Sequence, residues 1–413
     1  MSFSLNSIFN YSKKNSSVLI LAISTVSFLL LNIFFKSKIN PDDYGRIALL
    51  LTYISLLYSF GLFGSEQLLI RRCVVDVQSK KIIIDSNARF IIAICLFAQL
   101  IFPLGYHLFY KFENLFLGIL LSIAVTASML TYNIFRVAGR LNMSQFSNGA
   151  WKIISLSAAV FFVQFSFIKE YQKIELLFFS ILVFTSLFFL IACLKIVRFD
   201  TIQLKKSEIQ NDFRLLSNFF FSLLFASLLA QGDRLLISTV NNNLTYIGEY
   251  LFLGTVIVSP FNFLQSYFGF KYLSDYKVST NHFSLLKKNV GEVTIVNLIF
   301  IPAVVVVLLI LLKFKILDYQ FFNDHIVVAV FMFLIGVTRM YYSIFSSIMG
   351  SMASIKRIRL ANFNSILSFL IGITVFYFFP SVLSLTMVFF FLWLARLYIW
   401  YYHSIHSFYE FKI

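Results

Sequence analysis

Charge is what this chain has least of: only 13% of its 413 residues are Asp, Glu, Lys or Arg, against about a quarter in an ordinary soluble domain. A surface facing water cannot be built from so few ionic groups. Cysteine is almost missing as well. Cys73, Cys95 and Cys193 are scattered, form no CxxC pair and offer no metal-ligand spacing, which argues against a disulfide framework, a bound metal or a cofactor. The histidines, at 107, 282, 325, 403 and 406, fall at the ends of apolar runs or in loops, so general-base chemistry inside the bundle has no candidate. Acidic residues are fewer than basic ones, 18 against 34.

What is present is long apolar runs. Hydrophobic residues make up 59% of the chain and the mean hydropathy is +0.85. Windows of about 20 residues with few or no charges recur throughout, the length a helix needs to cross roughly 30 Å of hydrocarbon. They predict spans at 16–35, 46–69, 88–110, 115–135, 151–168 and 174–194, then at 215–240, 250–270, 290–312, 326–347, 360–379 and 382–402. The expected fold is therefore an all-α membrane protein of twelve transmembrane helices. The first run follows Lys13 and Lys14 but is too long for a signal-peptide core and lacks a cleavage site, so it is expected to remain as a helix. The 53 phenylalanines fill lipid-facing and interhelical volume as leucine would.

The net charge of +16 could suggest nucleic acid, but its placement points elsewhere. With twelve spans, Lys13, Lys80, Lys81, Arg136, Arg140, Lys152, Lys205, Lys206, Lys287, Lys288, Lys356 and Arg357 fall on the side of the termini, whereas Lys36, Lys111, Lys169 and Lys313 fall opposite. The bias is about three to one, and lysine and arginine in short loops stay cytoplasmic. Both termini are expected in the cytoplasm, with no nucleic-acid partner. The longest loops, near 70–87 and 195–214, leave no room for a catalytic domain.

The spans also divide six and six, and two places support an internal repeat. Ile39-Asn40-Pro41-Asp42-Asp43-Tyr44-Gly45-Arg46 after the first span and Asn241-Asn242-Asn243-Leu244-Thr245-Tyr246-Ile247-Gly248-Glu249-Tyr250 after the seventh are both polar turns carrying Tyr and Gly into the next helix, at an offset of 203, and the Gly139 to Ala150 spacing returns as Gly350 to Ala361. Many transporters are built from two related halves. The expected lobes are 1–204 and 205–413, around a central cavity.

Asp43-Tyr44-Gly45-Arg46, the stretch Gly61-Leu62-Phe63-Gly64-Ser65-Glu66 running to Arg71-Arg72, and Gln231-Gly232-Asp233-Arg234-Leu235-Leu236-Ile237 resemble the O-antigen and polysaccharide flippase family of the multidrug/oligosaccharidyl-lipid/polysaccharide exporter superfamily. The Arg136 to Gly149 loop is similar too. The resemblance implies a MATE-like fold and a cargo of undecaprenyl pyrophosphate carrying an oligosaccharide, flipped across the bacterial inner membrane. It also implies membrane lipids, a polysaccharide polymerase and a chain-length regulator as partners. The lipid II flippase has two further helices that are missing here, which favours the O-antigen or capsule branch. The rivals are an extruder of cationic drugs on the same fold and a polytopic polymerase or acyltransferase.

An ionisable side chain at membrane depth costs about 3 kcal/mol on insertion scales, so each is by default a functional candidate. Arg234, Arg339 and Arg396 lie inside predicted spans. They are the expected substrate-binding residues, with Arg46, Gln231 and Tyr341, because a guanidinium can hold phosphate oxygens bidentately. Asp233 and Glu66 are the expected ion-coupling residues, for a proton or sodium ion. Asn32, Gln99, Gln164, Asn262 and Gln265 could line the same cavity, or simply bind neighbouring helices at about 0.6 kcal/mol per hydrogen bond. Pro260 and Pro302 are candidate bending points.

Overall fold

Hydrocarbon offers the backbone no hydrogen-bond partner, so apolar runs of this length must satisfy their own peptide groups as helices. The computed structural model describes residues 5–60, 62–65, 69, 74–76, 81–84, 86–100, 103–104, 107, 115–164, 170–199, 206–278 and 281–410. Its helices are α1 (Leu5–Lys38), α2 (Pro41–Phe60), α3 (Ser86–Ala98), α4 (Leu115–Val137), α5 (Leu141–Gln164), α6 (Tyr171–Leu194), α7 (Lys206–Val240), α8 (Leu244–Val278), α9 (His282–Lys313), α10 (Tyr319–Asp324), α11 (Ile326–Met352), α12 (Ile355–Phe378) and α13 (Val382–Glu410). Every predicted span falls on one of these. Among the described residues nine helices are long and apolar enough to cross a membrane: α1, α4, α6, α7, α8, α9, α11, α12 and α13. The predicted spans at 46–69, 88–110 and 151–168 overlap α2, α3 and α5. Glu66, Arg71, Arg72 and Cys73 lie outside the described residues, as does the side chain of Gln164.

The all-α expectation needs one correction. The two longest predicted loops carry strands: β1 (Val74–Asp76) pairs antiparallel with β2 (Lys81–Ile84), which pairs parallel with β3 (Val197–Phe199). Valine and isoleucine runs favour a pleated, half-buried surface. Ile82 and Ile84 turn inward onto a cluster with Leu62, Ile92, Cys95, Phe135, Phe189 and Cys193.

The chain forms two compact units, 1–38 with 50–224 and 39–49 with 225–413. In the first, α1 lies along α5, and α4 packs on α5 and α6. Small residues permit the close approach: a side chain at Gly149 would collide with Ser24 across the α1–α5 seam. The interior polar groups are mostly hydroxyls. Tyr53 hydrogen bonds Ser122 at 2.6 Å, Ser128 meets Ser186 at 2.8 Å, and Ser186 donates to the Ala124 carbonyl at 2.7 Å.

In the second unit α8 lies along α11, α11 along α13, and α12 against α13. Phe261 of α8 rests on bare backbone at Gly336 of α11, where a Cβ would stand 2.6 Å from its ring. Lys271 and Glu292 form an ion pair between α8 and α9. The start of α2 belongs here too, and it touches the segment that the sequence repeat matches to it. Thr245 donates to Asp42, 203 residues away, at 2.6 Å. Gly45 and Gly248 abut: a Cβ on Gly248 would lie 3.1 Å from the Gly45 Cα. Equivalent residues therefore meet pairwise, the contact pattern of a local two-fold.

Candidate functional site

Among the described residues the buried arginines, Arg234, Arg339 and Arg396, all belong to the second unit. Arg234 on α7 and Arg339 on α11 are 8% and 7% exposed. Both line a small cavity with Asp233, Ala230, Gly254, Met332 and Phe389. Its volume of about 10 Å³ is the room one water molecule needs. Neighbours fix each polar group. The Arg339 Nε donates to Gln265 Oε1 at 3.0 Å, and its guanidinium carbon lies 4.9 Å from the centre of the Trp393 ring. Trp393 is held in turn by its indole N–H, which donates to the Leu229 carbonyl at 3.0 Å. Tyr250 donates to Asp233 Oδ2 at 3.1 Å and stands 3.3 Å from the Thr386 hydroxyl.

Asp233 lies within electrostatic reach of both arginines. A second carboxylate, Glu249 on α8, is buried nearby; it and Arg234 both act on the Tyr44 hydroxyl. Sequence reading left Glu249 at the edge of a span, one residue before 250, whereas α8 begins at Leu244. The arginines are therefore accompanied by carboxylates rather than alone. Of the charged groups, Arg234, Arg339 and Asp233 line the cavity itself.

Arg396 on α13 is 1% exposed and does not line the cavity. It sits between rings, 5.2 Å from Tyr342 and 5.1 Å from Trp400. Tyr342 also meets Trp393 edge-on at 5.5 Å. Arg339, Trp393, Tyr342, Arg396 and Trp400 thus alternate cation and ring along α11 and α13. Each desolvated cation–π contact is worth about 2 kcal/mol, which helps to keep guanidinium groups at membrane depth.

The other expected site residues fall elsewhere. Arg46 is exposed near the start of α2. Tyr341 hydrogen bonds Thr294 on α9 at 2.8 Å, an interhelical tie. Asn32 donates to the Phe28 carbonyl of its own helix at 2.8 Å. Gln231 and Gln99 are buried, and Asn262 is half-buried. Trp393, Trp400 and Tyr342 were missed, although Trp393-Leu394-Ala395-Arg396 and Arg339-Met340-Tyr341-Tyr342 place rings at helical spacing from arginine. Lys152 was expected at the very start of the span 151–168, on the side of the termini, but it stands at the middle of the 24-residue α5.

The constellation can hold and release an oxyanion. Guanidinium groups donate charge-assisted hydrogen bonds, and Asp233 supplies a counter-charge when no other anion is there. Among the described residues no cluster of His, Cys, Asp and Glu could hold a metal ion.

No protein-family model matches the chain, and no curated protein matches its sequence. Solved structures do match its fold. An outward-facing conformation of a multidrug resistance MATE family transporter of the MOP superfamily is similar over 96% of this chain and 96% of that one, at 14% identity and a TM-score of 0.54. The crystal structure of a MATE point mutant is similar over 96% and 97%, at 14% identity and a TM-score of 0.53. At that identity the likeness establishes the fold, a helical membrane bundle of the MATE type.

Proposed function

We propose that this chain flips undecaprenyl-pyrophosphate-linked oligosaccharide, an O-antigen or capsule repeat unit, from the cytoplasmic to the periplasmic leaflet of the bacterial inner membrane. The motion is alternating access of two six-helix lobes, 1–204 and 205–413, with both termini cytoplasmic. One observation carries the reading: Arg234 and Arg339 converge on one cavity inside an apolar bundle, and ionisable groups at membrane depth are candidates for function. A pyrophosphate presents oxygens for both. In the empty state Asp233 occupies their field, and the incoming diphosphate displaces it. The isoprenoid tail stays in lipid, so the protein has to solvate only the head group.

A specific observation favours a second reading, extrusion of organic cations. Asp233 is a carboxylate at membrane depth, Trp393 and Trp400 offer ring faces to a cation, and one structural neighbour is a multidrug transporter. The two readings differ in which charge does the binding.

Complementation separates them. Arg339→Ala or Arg234→Ala removes charge-assisted hydrogen bonds worth about 2 kcal/mol, roughly thirtyfold in affinity. In a strain lacking its polysaccharide flippase, surface polysaccharide is expected to fall in proportion at unchanged membrane abundance, while resistance to cationic drugs stays the same. Full restoration of polysaccharide by both variants would exclude the flippase reading.

A further inference from the structure

The first compact unit holds one half-buried lysine, set between aromatic rings on the same helix as two buried donors that lack a hydrogen-bond partner. Lys152 stands at the midpoint of α5, its Nζ 5.6 Å from the centre of the Phe28 ring and 5.7 Å from that of Trp151. Among the described residues it has no hydrogen bond and no ion pair. The Trp151 ring is clamped, stacked on Tyr58 at 6.0 Å with an interplanar angle of 8° and met edge-on by Phe28 at 6.0 Å. The Trp151 indole N–H and the Ser155 hydroxyl are both buried without a hydrogen-bond partner. Residues 151, 152 and 155 share one side of a helix, since positions three and four apart are neighbours there.

A packing role alone does not account for this arrangement. A cation–π contact uses the charge of an ammonium group but leaves its three N–H donors unsatisfied, and each buried donor left without a partner, as at Trp151 and Ser155, costs about 1–3 kcal/mol. Nor does Lys152 reach into lipid. The exposed apolar stripe of α5 runs through Phe146, Ile154 and Phe161, whereas Lys152 lies on a separate, half-buried stripe with Gln145 and Asn148. An ammonium, an indole N–H and a hydroxyl, all lacking an acceptor, define what is missing: an oxygen bearing negative charge.

We propose that Lys152, Trp151 and Ser155 form a second oxyanion-binding site, taking either a carboxylate of an acidic sugar or a phosphate oxygen of the carrier lipid. The inference rests on the reading of an anionic, lipid-linked cargo, but its site belongs to the other compact unit and has its own residues.

The test is a binding titration of the full-length protein in lipid nanodiscs with two anionic probes, farnesyl pyrophosphate and an alkyl glucuronide, each paired with its neutral analogue, farnesol and an alkyl glucoside. Lys152→Met is expected to weaken one anion about tenfold or more and to leave the neutral analogues unchanged; which anion suffers identifies the source. Lys152→Arg keeps the charge and should stay within roughly threefold of the starting protein. Trp151→Phe and Ser155→Ala each remove one donor at constant charge and should weaken the same anion roughly threefold. If Lys152→Met fails to insert, those two variants carry the test alone. Anion binding within about twofold of the starting protein in every variant, or starting protein that prefers neither anion over its neutral analogue, overturns the site. Arg339→Ala in the same titration keeps the two ideas apart. Loss of farnesyl pyrophosphate with Arg339→Ala but of neither anion with Lys152→Met removes this inference and leaves the proposed function. The reverse pattern leaves this site and removes the arginine grip.

Discussion

The two compact units solve the same problem with different chemistry. Both must keep polar atoms inside an apolar bundle. The first mostly uses small groups that satisfy themselves: Ser24, Thr126 and Asn133 each donate to a carbonyl four residues back, at 2.8, 2.6 and 2.8 Å. Such bonds need no distant partner and can be lost one at a time. The second unit has the same local bonds, as at Thr338 and Ser365, but adds three buried arginines, and no guanidinium can be satisfied within one turn of its own helix. Arg339 draws on α8 for Gln265 and on α13 for Trp393, so three helices must agree before one side chain is content. Ionisable groups that demand so much tertiary support at membrane depth are candidates for function.

The comparison predicts unequal damage. Trp393→Ala should do most: it empties the space between Arg339 and Tyr342, strips the ring from the guanidinium and frees the Leu229 carbonyl. Truncating a buried tryptophan costs about 3–5 kcal/mol, seen as a large drop in the unfolding temperature of the purified protein in detergent. A shift no larger than that of a serine deletion in the first unit would dissolve the contrast. Asp233→Asn comes next and acts on function more than on stability. It removes the competing carboxylate while keeping an acceptor for Tyr250, so farnesyl pyrophosphate should bind several-fold tighter, about 1 kcal/mol. The cation-extruder reading demands the opposite, loss of binding to organic cations, and a titration with each ligand decides.

How much of this was legible depended on how each residue announces itself. The spans were visible because hydrocarbon thickness sets a length, and Arg234 and Arg339 because charge inside an apolar run stands out. Lys152 was hidden by its own helix. Residues 141–150 read as a polar loop, with Asn142, Ser144, Gln145, Ser147 and Asn148, yet they are the first turns of α5. Tertiary contacts hold them there: Ser144 donates to the Tyr132 carbonyl at 2.9 Å, and Asn142 accepts from Ser16 at 2.8 Å. The helix therefore starts ten residues earlier, and the lysine moves from the start of the expected span to the middle of the helix. The strands escaped for a different reason: three or four residues carry no periodicity by themselves, and the partner of β2 in β3 is over a hundred positions away. The repeat was the opposite case. Ile39 to Arg46 and Asn241 to Tyr250 were matched as loop chemistry, and their contact supplies the reason for glycine: a Cβ at Gly45 would stand 2.2 Å from the Leu244 carbonyl oxygen, and one at Gly248 3.1 Å from the Gly45 Cα.

The smallest effect is the sharpest test of the contrast, because it asks whether the first unit is as forgiving as its local bonds imply. Tyr53→Phe deletes a hydroxyl that bonds Ser122 at 2.6 Å and the Gly118 carbonyl at 3.2 Å. Both acceptors keep another bond: Ser122 donates to that same Gly118 carbonyl at 3.0 Å. The loss should therefore be close to the membrane average of about 0.6 kcal/mol, a small downward shift of the thermal transition with cargo flipping intact. A cost of several kcal/mol would mean that α2 and α4 depend on this one hydroxyl as α8, α11 and α13 depend on Arg339 and Trp393. The division between a self-satisfied unit and a tertiary-dependent one would then not hold.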